Sequence, residues 1–189
     1  FVLSLGFVLP QMVFAAQMFF DAKTTRVQIG EKFEVNLLVN AEEENINAFE
    51  GKVTFPNDLL DLKEIRDGNT MVNFWIEKPK NQNGAIIFSG VTPGGFNSKN
   101  GLIFSAILEA KKEGVAKFEI NDARVLRNDG IGSMAILAVA PLEVVISKRA
   151  PAEIPALPRI EDREWPESFL PEIARDESIF NGKWFVVFV

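Results

Sequence analysis

The chain has 189 residues, of which 47% are hydrophobic and 24% charged, enough for one domain of roughly 100 to 150 residues with flanking segments. Its formal net charge of −6 argues against nucleic acid or an anionic membrane as a partner, because both are bound largely through Lys and Arg. The absence of His and Cys excludes a Ser-His-Asp triad, a Cys nucleophile, a zinc finger and a disulfide.

The N-terminal segment resembles the apolar part of a secretory leader, since its first 14 residues carry no charge. Val13 and Ala15 lie near positions −3 and −1 of a cleavage site, so we predict a leader over residues 1–16 that is cleaved after Ala15 or Ala16. A membrane-spanning helix is the alternative, but it needs about 20 apolar residues. Because Phe1 follows neither Met nor a basic segment, we expect the start of the leader to lie outside this sequence. A leader predicts a secreted or cell-surface protein.

From Phe33 to Ser147, short runs of alternating apolar and polar residues are separated by Gly, Pro, Asn or Asp. This pattern is typical of an all-β sandwich, because a two-residue period sends one set of side chains to the core and the other to water. No stretch in this region keeps an apolar period of 3.6 residues, so helices should be minor. Nine strands are predicted, near residues 18–22, 33–40, 46–55, 59–65, 71–77, 85–89, 102–110, 115–126 and 142–147.

The alternation also predicts which side chains leave the core. Along 46–55 it places Glu50 and Lys52 outside, and along 115–126 it places Lys117 and Glu119 outside. Each pair alternates with Phe, Val or Ile residues that are expected to be buried.

Trp75 is the most informative residue of the run 71–77. If Val72, Phe74 and Ile76 face the core, Trp75 lies on the outer side of the strand with Asn73 and Glu77. An exposed Trp on a sheet is a candidate hot spot for binding. Two alternatives stay open: a loop covers the ring, or the strand bulges.

Three motifs that could form chemical sites are better explained by structural roles. Gly90 and Gly95 have the spacing of a phosphate-binding loop, but Phe96 and Asn97 stand where that motif needs Lys and Ser or Thr. The acidic residues mostly occupy alternate strand positions, which favours a solvated face over a pair of catalytic carboxylates. Turn formation accounts for Asn128-Asp129 better than calcium binding does, since no EF-hand spacing is present. We therefore expect no enzyme activity and no cofactor or metal.

The composition changes after residue 148. Five prolines at positions 151, 155, 158, 166 and 171 lie among acidic and basic residues, so residues 149–172 are predicted to form an extended linker. Residues 183–189 (KWFVVFV) are aromatic and β-branched, which predicts a strand. We interpret 173–189 as the start of a further domain that continues beyond the sequence, with the start of a transmembrane helix as the alternative.

The order of the predicted strands resembles that of a cohesin domain, closest to the type II and cell-surface branches. The resemblance covers about residues 17–148. Four segments carry it: residues 27–35 (VQIGEKFEV), 46–56 (INAFEGKVTFP), 87–96 (IFSGVTPGGF), and 102–104 (LIF) with 128–130 (NDG).

This resemblance implies a nine-stranded jelly-roll sandwich, related in shape to carbohydrate-binding modules, that binds a dockerin partner on a flat sheet face. In the family the third, fifth, sixth and eighth strands form that face. Mapped by strand order and phase, it holds Glu50, Lys52, Asn73, Trp75, Ile87, Ser89, Lys117 and Glu119. Only one copy is visible, which favours a general surface-assembly role over cellulose degradation.

Three functions therefore remain as hypotheses. The first is a non-catalytic, exported recognition domain that binds a dockerin-like protein through an exposed sheet face. The second is a carbohydrate-binding module for polysaccharide, which needs a row of exposed aromatic rings. The third is a structural spacer of a surface protein. No nucleic acid partner is expected, and contact with a membrane is expected only through an anchor outside this sequence.

Overall fold

The computed structural model describes residues 16–42, 44–148, 172–175, 178 and 180–187. Eleven strands form the sandwich: β1 (Ala16–Asp21), β2 (Arg26–Gln28), β3 (Lys32–Asn40), β4 (Ile46–Thr54), β5 (Leu60–Arg66), β6 (Phe74–Gln82), β7 (Ala85–Phe96), β8 (Gly101–Ala110), β9 (Gly114–Arg127), β10 (Leu137–Ala140) and β11 (Leu142–Ser147). A separate segment holds β12 (Glu172–Arg175), a 3-10 turn (Phe180–Gly182) and β13 (Trp184–Val187). The predicted all-β class is confirmed.

The eleven strands form two sheets. One has five strands in the order β10-β1-β3-β8-β5, and the other has six in the order β2-β11-β9-β4-β7-β6. Most neighbouring strands are antiparallel, but β1 pairs with β10 and β11 pairs with β2 in parallel. Apart from the β6-β7 hairpin, sequence neighbours thus alternate between the two layers, as expected for the predicted jelly-roll sandwich.

The core lies between the sheets and is rich in aromatic rings. Phe88 of the six-stranded sheet contacts Phe104 of the five-stranded sheet, with ring centroids 5.4 Å apart. Phe118 and Phe20 join the layers in the same way at 5.8 Å. Such tilted ring pairs add to the free energy gained from burial alone. The largest fully buried side chains are Phe88, Phe104, Phe118, Met18, Leu37, Ile46, Leu60, Ile86, Ile103, Leu108, Val39 and Val125.

All nine predicted strands are present, and two short strands were missed. β2 and β10 are three and four residues long, and each forms a parallel pair with a strand distant in sequence. Neither run shows a clear alternation, so only the long-range pairing defines it. β7 also runs further than predicted, through Gly94 and Gly95, whose φ angles of 91° and 85° are readily adopted only by glycine.

The predicted leader, residues 1–16, overlaps the first strand of the sandwich by one residue, Ala16. Residues 1–15 lie outside the described residues, but Ala16 is the first residue of β1, is fully buried, and donates its N–H to the Ile136 carbonyl. Cleavage after Ala15 leaves β1 whole, whereas cleavage after Ala16 removes its first residue.

The chain divides into two units between residues 150 and 151. Residues 149–171, most of the predicted linker, lie outside the described residues. The strand predicted at 183–189 is present as β13, but it has a partner within the chain, because it pairs antiparallel with β12. Glu172 lies in β12, which corrects the predicted end of the linker.

Candidate functional site

The four strands expected to form a binding face lie side by side. They follow one another in the order β9-β4-β7-β6 within the six-stranded sheet. Their inner side packs on the core, and their outer side, called here the β9-β4-β7-β6 face, is open to solvent. The strand order predicted by the resemblance therefore corresponds to one continuous surface.

The centre of this face holds four of the predicted site residues. Glu50 lies opposite Ser89, and Lys52 lies opposite Ile87, in the antiparallel pair of β4 and β7. Their neighbours Phe49, Val53 and Phe88 are buried, so the alternation places all four outside, as predicted. No ion pair links Lys52 to a carboxylate of the described residues, whereas Glu50 lies 3.5 Å from Arg124.

Three further predicted residues are also exposed but lie away from this centre. Lys117 and Glu119 alternate with buried Phe118 on β9 and pair with each other at 2.6 Å. This contact raises the pKa of Lys117, mainly through the hydrogen bond to the Glu119 carboxylate. Asn73 precedes β6 and donates its backbone N–H to the Val91 carbonyl.

The prediction that Trp75 lies on the outer side is wrong. Its indole is partly buried and packs edge-on against Phe49, with ring centroids 6.3 Å apart. Phe74 and Ile76 are the exposed neighbours, at 66% and 69% of their full accessible area. The phase of β6 is thus opposite to the prediction at Phe74–Ile76. A register shift between Trp75 and Glu77 returns Glu77 to the outer side opposite Ser89, which corresponds to the alternative of a bulged strand.

The neighbouring strand carries a glycine at this point of the inner side. Trp75 pairs with Gly90, where an added Cβ would lie 2.7 Å from Val72 Cγ1 and 3.0 Å from Phe49 Cζ. The missing side chain lets large apolar groups approach the strand closely. Phe49 occupies this space and makes the edge-on contact with the Trp75 indole, while Phe74 and Ile76 stay outside.

The second half of β9 has an inside-outside phase that simple alternation does not predict. Its pairing with β4 shifts between Glu50 and Lys52, and Asp122 there has a φ of 52°. Such a bulge reverses the inside-outside phase, so Arg124 faces outward while Val125 is buried. The adjacent Asn121-Asp122 pair, which tolerates positive φ, was the available signal for this bulge.

An apolar groove lies at one end of the face. It is lined by the uncharged residues Ala48, Phe49, Ile76, Ser89, Gly90, Leu126 and Met134, together with the charged residues Glu50 and Arg124. Its volume is about 210 Å³. This is below the roughly 300 to 1,000 Å³ typical of small-molecule sites, and it corresponds better to a single side chain.

The loop after β9 forms one wall of this groove and is held by its own hydrogen bonds. Asp129 Oδ1 accepts the N–H groups of Ile131, Gly132 and Ser133 at 2.8 to 3.2 Å, and Oδ2 accepts the Ser133 hydroxyl. The Ser133 hydroxyl is the largest cause that lowers the pKa of Asp129, to about 2. The carboxylate is thus used by the turn, as predicted, and the loop presents Met134 at 62% exposure.

A second contact fixes the base of the same loop. Arg127 donates to both Glu44 carboxylate oxygens at 2.5 and 2.7 Å, and a third bond reaches the Met134 carbonyl at 3.1 Å. These hydrogen bonds lower the pKa of Glu44, whose side chain is only 11% exposed. Two-point guanidinium-carboxylate pairs of this kind restrict geometry strongly.

Comparison with solved structures identifies the fold. A cohesin module from a Clostridium perfringens family 33 glycoside hydrolase superposes with a TM-score of 0.56 at 20% identity, covering 70% of this chain and 98% of that module. A non-cellulosomal cohesin from the archaeon Archaeoglobus fulgidus gives 0.59 at 12% identity, covering 71% and 92%. A type I cohesin-dockerin complex from Clostridium thermocellum gives 0.60 at 10% identity, covering 72% and 96%.

The sandwich has a cohesin-like fold. No protein-family model matches the sequence, and no curated protein matches it. At these identities the likeness establishes the fold alone. The predicted type II character stays a prediction, because the similar structures include type I modules.

Proposed function

We propose that the cohesin-like domain is a non-catalytic recognition and scaffolding module that binds a dockerin-like protein through the β9-β4-β7-β6 face. The observation that carries this proposal is the continuous outer surface of these strands, which combines a groove, exposed Phe74 and Ile76, and Lys52, a cation that forms no ion pair with any residue the structure describes. Exposed apolar patches with polar surroundings are typical of protein-binding surfaces. Similar modules are described in complexes with dockerins, which supports the same class of partner here.

Two further parts of the proposal concern location and the glycan alternative. We propose an extracellular or cell-surface location, on the basis of the predicted leader; no helix among the described residues is long and apolar enough to cross a membrane. A polysaccharide site lacks support, because Phe74 is the only strongly exposed aromatic residue within the described part of the sandwich. Planar stacking on a glycan chain would require a row of such rings.

The test is a calorimetric titration of the full chain with a panel of recombinant type I and type II dockerin modules. Lys52→Glu places a negative charge at the centre of the face. Lys32→Glu is the matched control, because it makes the same change at an exposed residue of β3 in the other sheet. We expect at least one dockerin to bind, Lys52→Glu to weaken that binding about tenfold or more, and Lys32→Glu to leave it unchanged. Binding by no dockerin, or equal effects of both variants, would contradict the proposal.

A further inference from the structure

We propose that strand β10 is a self-association edge, at which two copies of the chain join their five-stranded sheets by antiparallel pairing. This edge belongs to the other sheet from the β9-β4-β7-β6 face, and the inference does not depend on the proposed function. β10 ends the order β10-β1-β3-β8-β5, and β1 is its only strand partner among the described residues. The other side of its backbone is therefore open to an added strand.

The backbone groups of Leu137 and Val139 point away from β1. In this parallel pair Ala16 lies opposite Leu137 and donates its N–H to the Ile136 carbonyl. A parallel ladder uses every second residue of a strand, so Leu137 and Val139 present their N–H and C=O groups on the open side, while the residues between and beside them face β1. No hydrogen bond to another described residue occupies these outward groups.

The apolar side chains beside this edge are uncovered. Val139 lies opposite Met18, which is fully buried, yet Val139 itself is 47% exposed. Coverage by the opposing sheet thus ends between β1 and β10. Ile136, directly before β10, is 52% exposed. Exposed apolar groups along an open strand edge are typical of a surface that pairs with another chain.

The other end strands of the described sandwich carry residues that oppose such pairing. β5 has the sequence LDLKEIR, in which most residues of the second half are charged. β6 has the sequence FWIEKPKNQ, with a proline between two lysines, and the short β2 begins with Arg26. Charges and proline are the usual protections of a sheet edge. β10 has the sequence LAVA, and no charge occurs from residue 130 to residue 142, so this edge lacks both protections.

The sequence of β10 favours a second copy of the same strand as the occupant. With a two-fold axis at Ala138, Leu137 of each copy lies opposite Val139 of the other, and their outward N–H and C=O groups bond to one another in both directions. Ala138 then meets Ala138 of the second copy in a pair without hydrogen bonds, where the Cα atoms approach to about 4.5 Å and a small side chain fits. Ile136 lies opposite Ala140, which is also small, so its exposed side chain is covered.

The charge distribution permits this self-contact. Two copies with a net charge of −6 each repel one another, so they can pair only where like charges do not meet. In the register above, all the pairing residues belong to the uncharged stretch 130–142. The ladder stops at both ends, because Pro141 has no N–H and the Ala135 N–H is donated to the Val125 carbonyl. So short a ladder gives a weak and reversible dimer.

The first experiment measures the monomer-dimer equilibrium of the full chain by analytical ultracentrifugation. Val139→Lys places a charge on the edge, and Val145→Lys is the matched control, because Val145 is 45% exposed on β11, which has strands on both sides. We expect the unaltered chain to dimerise as its concentration rises, Val139→Lys to raise the dimer dissociation constant about tenfold or more, and Val145→Lys to change it less than about twofold. A chain that stays monomeric up to about 1 mM, or equal effects of the two variants, would overturn the proposal.

The second experiment tests the two-fold axis with disulfides. Because the chain contains no Cys, Ala138→Cys creates a single thiol, and its Cα separation from the second copy is within the range of a disulfide. We expect oxidised glutathione to convert this variant to a covalent dimer. Ala140→Cys is the matched control, since two such thiols lie about 13 Å apart along the strands and should not join. An equal mixture of Ile136→Cys and Ala140→Cys should form the mixed dimer.

Hydrogen exchange separates the second copy from other occupants of the edge. The Leu137 and Val139 amides should exchange rapidly at low concentration and become protected as the dimer forms. Protection of these amides in the monomer would mean that another segment of the same chain covers the edge, and the self-association edge would be wrong. Equal crosslinking of Ala138→Cys and Ala140→Cys would also overturn it. None of these measurements involves a dockerin, so the proposed function stands or fails separately.

Discussion

The two outer faces of the sandwich use their polar residues in different ways. On the β3-β8-β5 face, the outer side of those three strands, Lys63 lies 2.7 Å from Asp61 and 3.2 Å from Glu109. Arg66 lies 2.9 Å from Glu64 and also contacts Glu34. None of the strongly exposed large apolar side chains among the described residues belongs to β3, β5 or β8.

The β9-β4-β7-β6 face is only partly compensated in this way. It has the pairs Glu50–Arg124 and Lys117–Glu119, but it also exposes Phe74 and Ile76. A face whose charges neutralise one another within the same sheet has little to offer a partner, because binding would strip water from groups that are already satisfied. The two faces therefore differ in whether their exposed groups already have partners within the same sheet.

The largest effect is expected on the two sides of β6. Trp75→Ala should lower the free energy of unfolding by about 2 kcal/mol, less than the roughly 3 to 5 kcal/mol of a fully buried ring, because the indole is only partly buried. Phe74→Ala should change it by less than about 0.5 kcal/mol, since Phe74 is 66% exposed. Urea unfolding of both variants measures the contrast. A stable Trp75→Ala protein with lost dockerin binding would restore the original assignment of Trp75 to the outer side.

A smaller difference is expected between ion pairs near the two faces. Glu44→Gln removes the charge from the two-point contact with Arg127 and should cost about 1 kcal/mol, because Glu44 is 11% exposed. Asp61→Asn on the β3-β8-β5 face should cost less, since the Asp61 side chain is 49% exposed and solvent screens its contact with Lys63. Thermal unfolding of the two variants gives the order, and equal losses would show that burial does not distinguish these pairs.

The smallest effect concerns the turn that holds the groove wall, and it depends on pH. The pKa of Asp129 is about 2 in the folded chain and about 3.8 without its partners, so its ionised form stabilises the fold above pH 3.8. This contribution is lost as the pH falls through about 2. The melting temperature of the unaltered chain should therefore approach that of Asp129→Asn between pH 5 and pH 2.

Asp129→Ala is the companion variant, because it removes the acceptor as well as the charge. Asn retains an oxygen that accepts the backbone N–H groups, so Asp129→Asn should keep the turn at neutral pH better than Asp129→Ala does. A constant difference in melting temperature between the unaltered chain and Asp129→Asn over the whole pH range would contradict the assigned pKa.

Strands with a strict alternation were predictable residue by residue. On β3, Phe33, Val35, Leu37 and Val39 are buried as expected, and Asn83-Gly84 forms the hairpin turn before β7 with both φ angles positive. In these segments one phase is apolar and the other polar, so burial of the apolar phase is the only favourable choice. The predicted central positions of the face follow from the same argument.

The phase of β6 was not predictable in this way. Val72, Phe74, Trp75 and Ile76 supply apolar residues in both phases, so hydrophobicity alone does not select a side. The structure places Trp75 inside, edge-on against Phe49 and opposite Gly90, and a register shift after Trp75 brings Glu77 back to the outer side. The groove could not be predicted either, since its walls come from β4, β6, β9 and the loop 128–134.

Local alternation and turn residues were enough to predict the all-β class, the nine main strands and the outer-side positions Glu50, Lys52, Ile87 and Ser89. Only the tertiary structure decided the parallel strands β2 and β10, the inward position of Trp75 and the groove beside Met134. The physical reason is that these features arise from contacts between distant segments, where the space left by one residue determines which side chain can fill it.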